Sequence, residues 1–342
     1  MKIGILTGGG DAPGLNSVIR AAVKRGEQYG HLMIGIKYGW KGLLDLDYEE
    51  LTFDKVEDIY REGGTILKTS RTNPFAKPDG PQKIFDSIKK IGLDALVAIG
   101  GDDTLGVAYK LYQLGLKVVG VPKTIDNDLS ITDYTFGFDT AVNEAMHALD
   151  NLKTTGRSHD RIMIAEVMGR NAGWIAAYAG IAAGANLILV PEEPFDLNEI
   201  IEFIKKRYEK GYKNALIVVA EGARLKNVDK NFIKEGKVDE FGHPILGGIG
   251  EFIAKEIEAR TNFEVRYVSL GHTIRGGEPS AFDRVLASRF GIASIDLVQQ
   301  NKFGYMVALK GLKIEAVPLS ETVTKMKSLS EDILSVAKAL FY

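Results

Sequence analysis

The stretch LDALVAIGGDDTLGVAYKLYQLG (93–115) decides the fold. Residues 95–100 form a short apolar run, as expected of a strand buried on both faces. Gly100 and Gly101 end it. Asp102, Asp103 and Thr104 then open a segment with helical spacing, TLGVAYKLYQLG (104–115). Strand, glycine turn and helix make one step of a parallel sheet covered by helices. The turn poses a problem of charge. Glycine turns after strands present backbone N–H groups to phosphate, and two adjacent carboxylates repel it.

The same pattern recurs along the chain. KIGIL (2–6), LMIGI (32–36), KVVGVP (117–122), RIMIAEV (161–167), NLILVP (186–191), NALIVVAEG (214–222) and YVSLG (267–271) read as strands. LNSVIRAAVKRGEQYG (15–30) and LNEIIEFIKKRYEKG (197–211) read as helices. In the second, Ile200, Ile201, Ile204 and Tyr208 share a face and Gly211 marks the stop. The expectation is an α/β protein with mainly parallel sheets between helical layers. A length of 342 residues, 45% hydrophobic, argues for two domains. No Pro-, Gly- or Ser-rich linker separates them, so the chain should cross between them more than once. In such sheets ligands collect beyond the C-terminal strand ends, where the glycine turns lie. The polar stretch 223–244 reads as a surface excursion.

Composition removes several classes of function. The net charge of −2 offers no basic excess for nucleic acid. The absence of cysteine excludes disulfides and thiolate-bound metals, and fits a cytosolic protein. No apolar run reaches membrane-spanning length, and MKIGILTGGG is too short for a signal-peptide core. A cytoplasmic protein without nucleic-acid or membrane partners is expected. Any anionic ligand must then be held by local clusters of Arg and Lys.

Three turns carry chemistry. In KIGILTGGGDAPGLN (2–16) a strand enters Gly8, Gly9 and Gly10. No Gly-Lys-Ser/Thr follows and no clean G-x-G-x-x-G is present, so a bare turn without ligand weighs equally. In GGDDT (100–104) one aspartate could cap the helix or hold Mg²⁺ and make phosphate tolerable; the second needs another reason. In VPKTIDNDL (121–129) Lys123, Thr124, Asp126 and Asp128 supply a phosphate partner, a hydroxyl, a base and a metal contact. Phosphoryl transfer to an alcohol needs that mixture, although a polar loop of Asx-turns is the plainer reading. Arg71, Arg161, Arg170, Arg266, His272 and Arg275 are scattered near glycines, and Arg170 and Arg275 adjoin glycine turns. Each alone suits a solvated face; together they suit clamps on a phosphorylated substrate.

TGGGDAPGLN, GGDDT, PKTIDND, EVMGRNAGW and GHTIRGG, in this order, resemble the phosphofructokinase family from Met1 to about Asp296. The resemblance implies two three-layer α/β/α domains with the active site between them. Residues 1–136 with 278–325 would take the phosphoryl donor and Mg²⁺, and residues 137–277 with 326–342 the sugar phosphate. It implies phosphoryl transfer to the 1-hydroxyl of fructose 6-phosphate. Asp126 would be the base, Asp102 the Mg²⁺ ligand with Asp128 nearby, and Gly10 a neighbour of the donor phosphates. Arg71 and Thr124 would stabilise the moving group. Met168, Gly169, Arg170 and Glu221 would hold the sugar, and His272 and Arg275 its 6-phosphate. Arg161 and Arg266 would reach that phosphate from a neighbouring subunit of a homo-oligomer, dimer or tetramer.

Nucleotide-using members resemble GGDG, with Gly before the base motif. Here Asp103 and Lys123 stand at those positions. Asp103 would fill and charge the space of a nucleotide α-phosphate, and Lys123 would attract a bare inorganic donor. The pair resembles the pyrophosphate-dependent branch, which implies a reversible reaction. Arg20, Lys24, Lys153 and Asn186 stand where an Arg-rich effector site is expected, so nucleotide and phosphoenolpyruvate control should be weak or absent. The alternatives are an ATP-dependent phosphofructokinase, a non-catalytic sugar-phosphate-binding regulatory subunit and a dinucleotide-binding oxidoreductase. The last rests on glycine turns alone.

Overall fold

The computed structural model describes residues 1–226, 233–238, 241, 244–323 and 326–340. In chain order the strands are β1 (Lys2–Thr7), β2 (Leu32–Ile36), β3 (Tyr48–Leu51), β4 (Ala95–Gly100), β5 (Val118–Pro122), β6 (Ile162–Val167), β7 (Leu187–Leu189), β8 (Ala215–Ala220), β9 (Ile233–Val238), β10 (Pro244–Leu246), β11 (Val265–Ser269), β12 (Tyr305–Lys310) and β13 (Lys313–Pro318). The chain divides into two compact units, Met1–Thr140 with Arg275–Met326 and Ala141–Ile274 with Lys327–Tyr342. It therefore passes from one to the other at residues 140–141, 274–275 and 326–327.

The first unit holds a seven-stranded sheet in the order β13-β12-β5-β4-β1-β2-β3. The strands from β12 to β2 are parallel, and β13 and β3 close the edges antiparallel. Every residue of β4 is buried, as a strand covered on both faces requires. From β1 the chain runs outward one way to β2 and later the other way to β4. The switch point therefore falls between β1 and β4, and their glycine turns sit side by side there. On one face the helices Leu15–Gln28 and Ala281–Gln299 pack together over a core that includes Ile5, Val97, Phe136 and Phe290.

The second unit holds a four-stranded parallel sheet in the order β11-β6-β8-β7. Its core gathers Ile162, Ile217, Ile200, Ile204 and Ile253, so the helical face read from Ile200 and Ile204 is the buried one. A separate hairpin pairs β9 with β10. β9 falls in the polar stretch 223–244 and β10 starts at its last residue; 227–232, 239–240 and 242–243 of that stretch lie outside the described residues.

Element ends shift in consistent ways. The helix after β4 spans Asp102–Gln113, starting two residues earlier than the spacing predicts. Both aspartates thus lie in its first turn, where the helix dipole favours negative charge. The helix Leu197–Glu209 ends before Gly211, which takes φ 90°. β3 and the β12–β13 hairpin are additions to the sequence reading. β3 (YEEL) and β13 (KIEAVP) are partly exposed edge strands, whereas β12 (YMVALK) is a buried apolar run that the sequence reading passed over.

Candidate active site

The first cluster lies in the first unit, beyond the ends of β1, β4 and β5. Gly8 N–H donates to Ile99 O at 2.9 Å, and Lys123 N–H to Gly100 O at 3.0 Å, so three turns are tied at their roots. Thr104, 3% exposed, is wedged among them. A Cβ on Gly8 would lie 2.6 Å from its Oγ1, and one on Gly100 2.4 Å from its Cβ. Only glycine admits that approach.

Lys123 is 4% exposed and its Nζ donates to Gly10 O. Burial, then the nearby Arg275 guanidinium, pulls this ammonium down to about 8, while Asp11, Asp126 and Asp102 pull it back up. Arg275 pairs with Asp11 at 3.0 Å and lies against Gly10. The structure thus brings Gly10, Lys123, Asp102, Asp126 and Arg275 together and adds Asp11, which the sequence reading passed over. Arg275, read as a sugar-phosphate ligand, stands here beside the glycine turn.

Asp126 is 9% exposed. Its N–H donates to Thr124 Oγ1 at 3.0 Å, while Thr124 O accepts from Thr135 Oγ1 at 2.7 Å. Asn127 takes φ 51°, a region Asn tolerates, and its side chain accepts from Thr135 N–H at 3.2 Å. The Thr124 hydroxyl thus closes an ST-turn and the Asn127 side chain reaches eight residues on, and both bonds fix the loop that carries Asp126. Asp103 sits half-buried in the first turn of the helix, and Arg71 is exposed. No group of three or more His, Cys, Asp or Glu suited to a metal occurs among the described residues. The donor set here, Asp102 with other carboxylates acting on Lys123, suits a hard cation held by one carboxylate and completed by phosphate oxygens.

The second cluster lies in the second unit, beyond β6, β8 and β11. Gly169 (φ 148°) and Arg170 (φ 47°) turn the chain sharply after Met168. Arg170 N–H donates to Glu221 Oε1 at 3.1 Å, and burial pushes the Glu221 carboxyl up. Such a strained non-glycine backbone persists where its surroundings over-determine it. Glu166, 4% exposed and passed over in the sequence reading, accepts from Gly250 N–H at 2.8 Å and from Tyr267 Oη at 3.2 Å. Burial and Glu166 push the Tyr267 phenol up to about 12, so it stays a donor.

Arg161 and Arg266 meet on one carboxylate, Glu264: Arg161 at 2.8 Å and Arg266 closer still. His272 is exposed on the short turn Gly271–Arg275. Of the expected effector positions, Lys153 Nζ donates to Ala183 O (2.8 Å) and Gly184 O (2.9 Å), and Asn186 accepts from Leu216 N–H (2.9 Å). In the first unit Arg20 Nε donates to Glu57 O (2.7 Å), and Lys24 lies 4.0 Å from the Phe53 ring centroid.

The family profile described as phosphofructokinase matches residues 2–298. The chain belongs to the phosphofructokinase family. It is 52% identical over 342 residues to a pyrophosphate–fructose 6-phosphate 1-phosphotransferase of Amycolatopsis methanolica, covering 100% of both chains. It is 48% identical over 332 residues to an ATP-dependent 6-phosphofructokinase of Streptomyces coelicolor, covering 97% of each. The fold matches a phosphofructokinase structure from Saccharomyces cerevisiae with a TM-score of 0.81 and 29% identity, over 99% of this chain and 46% of that one. No helix among the described residues is long and apolar enough to cross a membrane.

Proposed function

We propose that this enzyme transfers a phosphoryl group from inorganic pyrophosphate to the 1-hydroxyl of fructose 6-phosphate. The products are fructose 1,6-bisphosphate and phosphate, and the reaction runs in both directions. The observation that carries the choice of donor is the Lys123 ammonium, buried and fixed on Gly10 O, with Asp103 in the first turn of the adjoining helix. The cation attracts a compact inorganic anion, whereas a half-buried carboxylate at residue 103 repels the inner phosphate of a nucleotide.

Asp126 takes the proton from the sugar hydroxyl, and its loop is held by Thr124, Asn127 and Thr135. Thr124, Arg71 and Lys123 stabilise charge on the phosphoryl group and the departing phosphate. Asp102 holds Mg²⁺, which when bound neutralises and orients the pyrophosphate oxygens. Met168, Gly169, Arg170 and Glu221 hold the sugar. His272 and Arg275 grip its 6-phosphate, Arg275 exchanging the Asp11 carboxylate for a phosphate oxygen. Arg161 and Arg266 complete the site of a neighbouring subunit in a homo-oligomer.

An assay with purified protein at fixed fructose 6-phosphate and Mg²⁺ tests the donor. Pyrophosphate should support turnover, and ATP and ADP should not. Asp103→Gly should admit ATP, and Lys123→Gly should lower the pyrophosphate rate by about 10²–10³. Adding ADP or phosphoenolpyruvate should leave the rate unchanged, because the effector-site positions are engaged within the chain. The second reading, an ATP-dependent kinase, is favoured by the Streptomyces relative; equal rates with ATP and pyrophosphate would establish a dual-donor enzyme and remove residue 103 as the discriminator.

A further inference from the structure

The glycine turn after β1 is held from outside its own motif. Its middle peptide groups are fixed by residues 69 and 70: Gly9 N–H donates to Ser70 O at 3.0 Å, and the Thr69 hydroxyl donates to Gly9 O at 2.6 Å. Ser70 Oγ in turn donates to Tyr38 O at 2.7 Å, and Tyr38 N–H to Leu67 O at 2.8 Å. Residues 65–70 therefore form a strap from the end of β2 to the turn after β1. Its root is also fixed, since Thr7 Oγ1 donates to Lys68 O at 2.8 Å.

An anion-binding turn must show N–H groups to its ligand and keep carbonyl oxygens away from it, since each carbonyl carries partial negative charge. Two carbonyls of this turn are engaged by donors. Gly9 O takes the Thr69 hydroxyl, and Gly10 O takes the Lys123 ammonium. Gly9 has φ 79° and no side chain, and of these two bonds it is the one from Thr69 that opposes rotation of the Gly9–Gly10 peptide plane. Without the hydroxyl, the Gly9 carbonyl can swing toward the donor anion.

We infer that Thr69 is a positioning residue for phosphoryl-donor binding, setting the orientation of the Gly9 peptide without touching the donor itself. This inference rests on the reading that the donor lies against the Gly8–Gly10 turn. It makes part of donor affinity a property of a segment some sixty residues from the glycine motif.

Thr69→Val keeps the shape and removes the hydroxyl; Thr69→Ser keeps the hydroxyl and removes the methyl. Kinetics are measured for each with pyrophosphate, and with ATP should the unmodified enzyme prefer it. Thr69→Val should raise the KM for the donor on the order of tenfold, the cost of one freed half-buried acceptor. The KM for fructose 6-phosphate and the thermal midpoint should stay near the unmodified values. Thr69→Ser should restore the donor KM. A donor KM unchanged in Thr69→Val, or one that rises together with the sugar KM and falling thermal stability, overturns the inference. Preference for ATP by the unmodified enzyme overturns the donor assignment above and leaves the Thr69 comparison decisive.

Discussion

Lys123 is a buried cation among charges of both signs, and its proton is the most consequential in the first cluster. Burial and Arg275 lower its affinity for that proton to about 8, despite Asp11, Asp126 and Asp102. The sign follows directly. The side chain is charged below about pH 8 and loses its charge as pH rises through that value. If the charge attracts the donor, kcat/KM for pyrophosphate should fall above pH 8, approaching tenfold per pH unit. Lys123→Met should be slower throughout and lack that break, which separates the side chain from the ionisation of pyrophosphate itself. A wild-type profile that follows the variant's shape from pH 7 to 9.5 removes the Lys123 charge from donor binding. This residue was legible because its motif is local: Lys123, Thr124 and Asp126 lie within four positions after a strand. Asp11 sits in a quoted motif, yet its ion pair with Arg275 was not legible. Nor was the bond from Thr69 to Gly9. Both partners are far apart in sequence, and no periodicity reports such a pairing.

Helix ends show the same division at the next scale. The helices Phe138–Ser158 and Ala281–Gln299 begin against each other, and their first turns exchange caps. Ser280 Oγ accepts from Asp283 N–H (3.2 Å) and donates to Asp139 Oδ2 (2.5 Å), and Ser280 N–H donates to Thr140 Oγ1 (2.9 Å). Asp283 Oδ2 accepts from Thr140 N–H at 2.8 Å and Thr140 Oγ1 at 2.5 Å. This exchange ties the first turn of the first helix to the first unit, whose boundary falls after Thr140. Asp283 is fully buried. Burial raises its carboxyl to about 6, against the lowering effect of the Thr140 and Gly137 donors. The folded state therefore favours the protonated acid. Its contribution is fully present below about pH 4 and is lost as pH rises through 6. Asp283→Asn mimics the protonated form. Its thermal midpoint relative to wild type should improve between pH 4 and 7, by an amount corresponding to at most about 3 kcal/mol. An offset between the two proteins that does not change with pH would show that Asp283 keeps its ordinary acidity. The helix Ala281–Gln299 escaped the sequence reading because its apolar residues lie nearly all around it. Two of its exposed positions are Phe282 and Val285, so no single stripe stands out.

At the scale of the whole molecule, the alternation of buried runs and glycine turns made the parallel strands β2, β1, β4 and β5 of the larger sheet and the whole of the smaller one legible, because each strand–turn–helix step repeats one local pattern, while β3, β12 and β13 at the flanks of the larger sheet were not. Assembly is different, since it depends on surfaces that no motif labels. Within one chain, Arg161 and Arg266 converge on Glu264, and Arg266 also lies 3.9 Å from Glu258, so the two carboxylates offset most of the positive charge at that spot. A sugar phosphate carries more negative charge than one carboxylate, so it should displace Glu264 and draw both guanidinium groups to itself. If those arginines serve a neighbouring subunit, each complete site takes Asp126 from one chain and Arg161 from another. Asp126→Asn and Arg161→Ala should each be nearly inactive alone. Subunits of the two variants, dissociated, mixed in equal amounts and reassociated, should recover about one quarter of wild-type turnover, because half of random pairs are hybrids with one intact site of two. Recovery should depend on reassociation and be absent when the variants are mixed without it. Failure to recover after verified subunit exchange would place Arg161 in the site of its own chain, and the ion pair with Glu264 would then be a fixed part of the second unit.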